Sequence, residues 1–162
     1  MKYIISERQY KLLTEDEDKK ILKLPSVDVF GDWEGLQAYL DKKGNPLFSI
    51  SGDLDLRGTP IKSLDNLVSV GGDLDLHGTE IESLGNLESV GGYLDLGHTR
   101  IKFLENLQSV GGSLNLYDTP IQSLGNLEYV GDNLDLGYTP LSLTYSEEEI
   151  REMIDVGGFI SM

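Results

Sequence analysis

The chain has 162 residues, a formal charge of −15 at neutral pH and no cysteine. That length holds one domain with a real core, the charge repels nucleic-acid backbone and anionic membrane while attracting basic partners, and the missing thiols exclude disulfides, thiol catalysis and thiolate metal sites. No run approaches the roughly eighteen apolar residues of a membrane helix, and "MKYIISERQYKLL" is too charged for a signal peptide, so a soluble, cytoplasmic protein is expected that binds neither nucleic acid nor membrane.

Residues 1–30 read as an N-terminal extension. Ser6 to Leu13 fits a short helix with Gln9 closing a capping box. "TEDEDKKILKLP" fits a second short helix, or a charged turn followed by a strand. Over 31–45, "DWEGLQAYLDKKGNP" predicts a helix with Asp32 as N-cap and Gly44 as its stop. Trp33, Leu36 and Leu40 share one face, expected to cover the first coil of the segment that follows and to place Trp33 in the core.

From 46 to 143 the chain repeats every twenty residues as L-x-L-x-x-T-x-I-x-S/F-L-x-N-L-x-x-V-G-G-x. Leu54, Leu74, Leu94, Leu114 and Leu134 form one column, and Thr59, Thr79, Thr99, Thr119 and Thr139 another. Twenty residues cannot bury an apolar face alone, but stacked coils can. In L-x-L, alternation turns both leucines inward and their neighbours outward. The Thr hydroxyls sit at a bend where they can satisfy turn backbone, and Asn66, Asn86, Asn106 and Asn126 do similar work in a second turn. Glycine pairs such as Gly91–Gly92 let the chain turn tightly into the next strand. Over 144–162, "TYSEEEIREMIDVGG" predicts a capping helix and tail, with Ser146 and Glu149 as a capping box. Ile150, Met153 and Ile154 form its apolar face.

These columns resemble the leucine-rich repeat family over roughly residues 45–143, with Thr where the family carries Asn. The resemblance implies a leucine-rich-repeat solenoid: a curved parallel β-sheet on the concave face, short turns on the convex face, helical caps at both ends, and use in binding proteins. The "VGG-x-L-x-L" phrasing is similar to short bacterial, phage and receptor L-type repeats. "IISERQYKLL" resembles the starts of tailed-phage proteins, which implies a structural subunit of a larger assembly, such as a virion, as an alternative role.

Catalytic parts are not in view. His77 and His98 lack zinc-site spacing, the D-x-D pairs follow from strand alternation, and no P-loop, dinucleotide fingerprint or nucleophile elbow occurs. No enzyme activity, metal or cofactor is expected. That leaves the outward side chains of the sheet. Asp55, Asp75 and Asp95 fall in one column about 4.8 Å apart, where like charges repel by about 0.8 kcal/mol in water and about 3 kcal/mol at an effective dielectric of 20. Counterions, Arg57, raised pKa values or a basic partner would offset this. Tyr93, Tyr117 and Tyr138 enrich the later coils, and tyrosine is common at interaction hot spots. The expected function is therefore protein binding through Asp55, Asp75, His77, Tyr93, Asp95, Tyr117 and Asp135, toward a partner with a basic surface. Solubilisation by the acid ladder is the plain alternative, and nucleic-acid mimicry by an acidic inhibitor is another. Calcium needs six to eight oxygens around one ion, more than a flat sheet gathers. In "SVGGDLDLHGT" (residues 69–79), the core columns claim Val70, Leu74 and Leu76, leaving Asp73, Asp75 and His77 with no expected duty to the fold.

Overall fold

The computed structural model describes residues 21–162 together with the strand Thr14–Asp16; the helix expected over 6–13 lies outside them. β1 (Thr14–Asp16) and β2 (Ile21–Leu24) pair antiparallel, Thr14 opposite Lys23, so the described part of "TEDEDKKILKLP" takes the strand alternative. A 3₁₀ turn (Val27–Phe30) follows, N-capped by Ser26, and then α1 (Trp33–Lys42), whose Asp32 cap accepts from the Gly35 N–H at 2.7 Å. Leu36 and Leu40, one turn apart, are buried in the main hydrophobic cluster, whereas Trp33 is only half-buried, its ring 6.3 Å from that of Phe48.

The repeats build a parallel β-solenoid with twenty-residue spacing, and each coil gives a strand to each of two sheets rather than to one. V-G-G-x-L-x-L bends at its glycines, so Val and Leu columns fall on separate strands. β3 (Phe48–Ile50), β5 (Leu67–Val70), β7 (Ser89–Val90), β9 (Ser109–Val110) and β11 (Tyr129–Val130) continue the sheet begun by β1 and β2. β4 (Leu54–Asp55), β6 (Leu74–Asp75), β8 (Leu94–Asp95), β10 (Leu114–Asn115) and β12 (Leu134–Asp135) form the second, in register Leu on Leu. After β12 come α2 (Pro140–Thr144) and α3 (Glu147–Met153), then β13 (Asp155–Val156) and β14 (Ile160–Ser161), which add one more parallel strand to each sheet. The Ser146–Glu149 capping box is formed in both directions. Ile150 and Ile154 are buried, but Met153 is 50% exposed: with only seven residues, α3 turns a narrow apolar stripe inward. No helix among the described residues is long and apolar enough to cross a membrane.

Inside the coils the Leu, Ile and Val columns form one continuous core, and the buried polar side chains among the described residues are Thr79, Thr99, Thr119 and Thr139. Each donates its hydroxyl to the carbonyl three residues back at 2.7–2.8 Å, as Thr99 does to Leu96. That satisfies a polar group which would otherwise cost more than it contributes. At the second turn, Asn86, Asn106 and Asn126 donate Nδ2 to carbonyls of the preceding coil, at Asp65, Gly85 and Glu105. These ties stitch coil to coil, not turn to itself.

The glycines answer a different demand from the one their turn position implies. None of Gly71, Gly91, Gly111 or Gly131 has a positive φ. A Cβ on Gly91 would instead run into the Gly71 carbonyl, and one on Gly111 into the Gly91 carbonyl. Stacked backbones approach so closely at this corner that only a hydrogen fits between them.

Candidate functional site

The Leu–Asp–Leu strands place Asp55, Asp75, Asp95, Asn115 and Asp135 in one outward column. Each turns Oδ1 back to accept the N–H two residues on: from Arg57, His77, Gly97, Tyr117 and Gly137, all at 2.9–3.0 Å. This Asx turn ends every strand of the column and requires Asp or Asn there. The neighbouring outward column is also tied down. Asp53 accepts the Asp73 N–H, Asp73 the Tyr93 N–H, and Asn133 the Phe159 N–H, each across one coil boundary. Asp73 and Asp75 therefore do serve the fold, contrary to expectation: their carboxylates bond backbone N–H groups left over by strands of two residues. Of the three outward residues of "SVGGDLDLHGT", only the His77 side chain escapes a backbone duty.

Charge along the column is offset locally. Arg57 reaches Asp55 at 2.6 Å and Asp75 at 3.1 Å, bridging two coils. Its side-chain hydrogen bond, then its backbone N–H, hold the Asp55 carboxyl below the usual carboxylate range. Asp95 is more enclosed than Asp55 or Asp75, its side chain 14% exposed. Asn115 Nδ2 donates to its Oδ1 at 2.9 Å, the Tyr93 hydroxyl donates to its Oδ2 at 3.0 Å, and His77 Nδ1 lies 3.4 Å away. Burial, and then that bond to a carboxylate, push the Tyr93 phenol up to about 12. The structure thus brings together Asp55 and Asp75 around Arg57, and His77, Tyr93 and Asp95 around one carboxylate. Asp135 stands two coils farther on.

A feature that no single column reveals runs beside the acids. The rings of His77, His98, Tyr117 and Tyr138 contact one another edge to face in succession, with centroids 5.1, 5.4 and 5.2 Å apart. Burial, then the neighbouring Tyr138, raises the Tyr117 phenol. His98 and Tyr138 sit one position after the column of His77 and Tyr117, so a strict twenty-residue comparison separates them. Both adopt φ +57°, which swings their side chains into the row. The available signal was their place: they stand where other coils carry Gly58 and Gly78, also left-handed.

Among the described residues, no group of three or more His, Cys, Asp or Glu side chains is arranged to hold a metal ion. The site is a rigid strip of acids flanked by a row of rings. It offers contact area, hydrogen-bond acceptors and negative charge. No protein-family model matches the chain, and no curated protein or solved structure matches it.

Proposed function

We propose that the chain is a non-enzymatic protein-binding module, of leucine-rich-repeat type, whose Leu–Asp–Leu sheet receives a partner with a basic, partly apolar surface. The observation that carries this reading is the unbroken ring row from His77 to Tyr138, lying along a column of acids already fixed by Asx turns. Side chains held in place before binding lose little entropy when a partner arrives. Tyrosine supplies amphipathic contact area, and Tyr138, 78% exposed, is the most open ring of the row. In the same reading α1 caps the solenoid through Leu36 and Leu40, and α3 caps it through Ile150, all of them part of the shared core.

The test is capture of partners from the native source by the full chain and by a quadruple variant, Asp75→Asn, Asp135→Asn, Tyr117→Ala and Tyr138→Asn. Asparagine keeps the Asx-turn acceptor, as Asn115 does natively, and tolerates the left-handed backbone of position 138. A folded variant that loses the captured protein supports this face as the interface. Equal capture by both chains refutes it.

A further inference from the structure

The Leu–Asp–Leu sheet starts one coil late. In the coil before β4, Leu24 lies opposite Ile50 and Ser51 donates to the Leu24 carbonyl, both in step with the repeats, whereas Gly52 donates to Pro25, one position short of the Gly72-to-Gly52 pattern. The strand that should follow and pair with β4 is missing, because Ser26 caps the 3₁₀ turn Val27–Phe30 in its place. Among the described residues β4 is consequently an edge strand. Its bonds to β6 use the N–H groups of Leu54 and Leu56, donated to Asp73 and Asp75. By strand alternation the N–H of Asp55 and the carbonyls of Asp53 and Asp55 point the other way, toward a space that no described strand fills.

That space is a groove of about 410 Å³. One wall is the strand Asp53–Leu56 with Thr59; the other is Val27, Asp28, Asp32 and Trp33. Two sides of an incoming strand would meet different chemistry here. Residues above the sheet would stand beside the Asp53 and Asp55 side chains, and those below would face the half-buried Val27 and Trp33, since Leu54 and Leu56 are already closed into the core. Among the described residues no basic side chain lines the groove; Arg57 lies on the sheet face, where it pairs with Asp55 and Asp75, so the uncompensated charge at the groove is that of Asp28, Asp32 and Asp53.

We propose that β4 is a docking edge that takes an extended basic peptide as an added strand, lysine or arginine alternating with apolar residues. Main-chain bonds to Asp53 and Asp55 supply the register, and alternate side chains supply the selection. Edge strands are commonly blunted by lysine, proline or a covering element; β4, short and acidic, opposes edge pairing with acidic or neutral strands but not with a basic one. This site adjoins the sheet face proposed above and shares Asp55 with it, but the ring row and Asp75 to Asp135 take no part in it, so either can fail without the other.

The test is fluorescence anisotropy with a labelled octapeptide alternating lysine and valine, titrated into the full chain. It is compared with the same peptide Nα-methylated at alternate residues and with a glutamate–valine peptide. The expected result is salt-sensitive binding of the lysine peptide, weakened about tenfold or more by methylation, since each lost main-chain bond forfeits a large part of a factor of ten. The variant Asp28→Asn, Asp53→Asn, Asp55→Asn keeps the hydrogen-bond acceptors that fold these turns and should bind equally more weakly. Hydrogen exchange should show the Asp55 amide becoming protected on binding. Binding that methylation does not affect, equal binding of the glutamate peptide, no binding, or protection confined to residues 115–135 would each overturn the proposal. Protection confined to residues 115–135 would place the peptide on the sheet face instead.

Discussion

Replacing Gly91 by alanine tests what the paired glycines are for. Gly91 N–H donates to the Val70 carbonyl at 2.8 Å and Gly92 N–H to the Gly72 carbonyl at 3.0 Å, so this corner is bonded directly to the coil before it. The new Cβ would collide with the Gly71 carbonyl, which is backbone and cannot rotate away. Relief requires the two coils to part. Overpacking of that kind costs about 1–3 kcal/mol, and stretching two bonds removes up to about 0.5–1.5 kcal/mol each. The total centres on about 4 kcal/mol, which for a chain of this size lowers the melting midpoint by about 8–16 °C. Gly78→Asn is the control. Gly78 has φ +67°, no atom lies within 4 Å of where its Cβ would stand, and Asp118 and Tyr138 hold the same left-handed corner natively. Asparagine tolerates that conformation, so its cost stays under about 1 kcal/mol. Thermal melts followed by circular dichroism, backed by urea unfolding, compare the two. If Gly91→Ala melts no lower than Gly78→Asn, close coil stacking is not the reason for the glycine column.

Thr99→Val keeps the shape of a buried side chain but removes its 2.7 Å bond to the Leu96 carbonyl; a loss of about 1 kcal/mol is expected in urea unfolding. The Tyr93 phenol titrates near 12 against an ordinary 10.0, so the stability it contributes is complete below pH 10 and is lost as pH rises toward 12. Ultraviolet titration of Asp95→Asn should find this phenol moved back toward its ordinary value. Glu149, bonded to Ser146, titrates below its ordinary 4.5, so its contribution is present above that pH and disappears as acid reaches the lowered value; Ser146→Ala should lower the melting midpoint by about 2–4 °C at neutral pH. Arg57→Gln unbridges Asp55 and Asp75 and should lower the melting midpoint at low salt, the difference closing at molar salt where such charges are screened.

Periodicity made much of this molecule legible in one dimension. A twenty-residue column of Leu, Ile or Val can only be an inward column if coils stack, and those columns are buried, joined at the ends by residues outside them such as Phe30, Leu36, Leu40 and Ile150. The Asp32 cap and the Ser146–Glu149 box were equally readable, because capping needs only residues three apart in sequence. Three features depended on the third dimension. The duty of Asp75 was hidden because an outward Asp in a strand looks the same whether it faces solvent or closes an Asx turn. The ring row was hidden because it mixes two columns through left-handed residues at His98 and Tyr138. The missing strand beside β4 was hidden because it is a departure from the repeat, where Ser26 bonds the Asp28 N–H and diverts the chain. Sequence alone determined which side chains point inward, since burial follows a fixed period. Tertiary structure alone decided which outward side chains are spoken for, since that depends on how each strand ends, for Asp75, and on the next coil's backbone a few ångströms away, for Asp73.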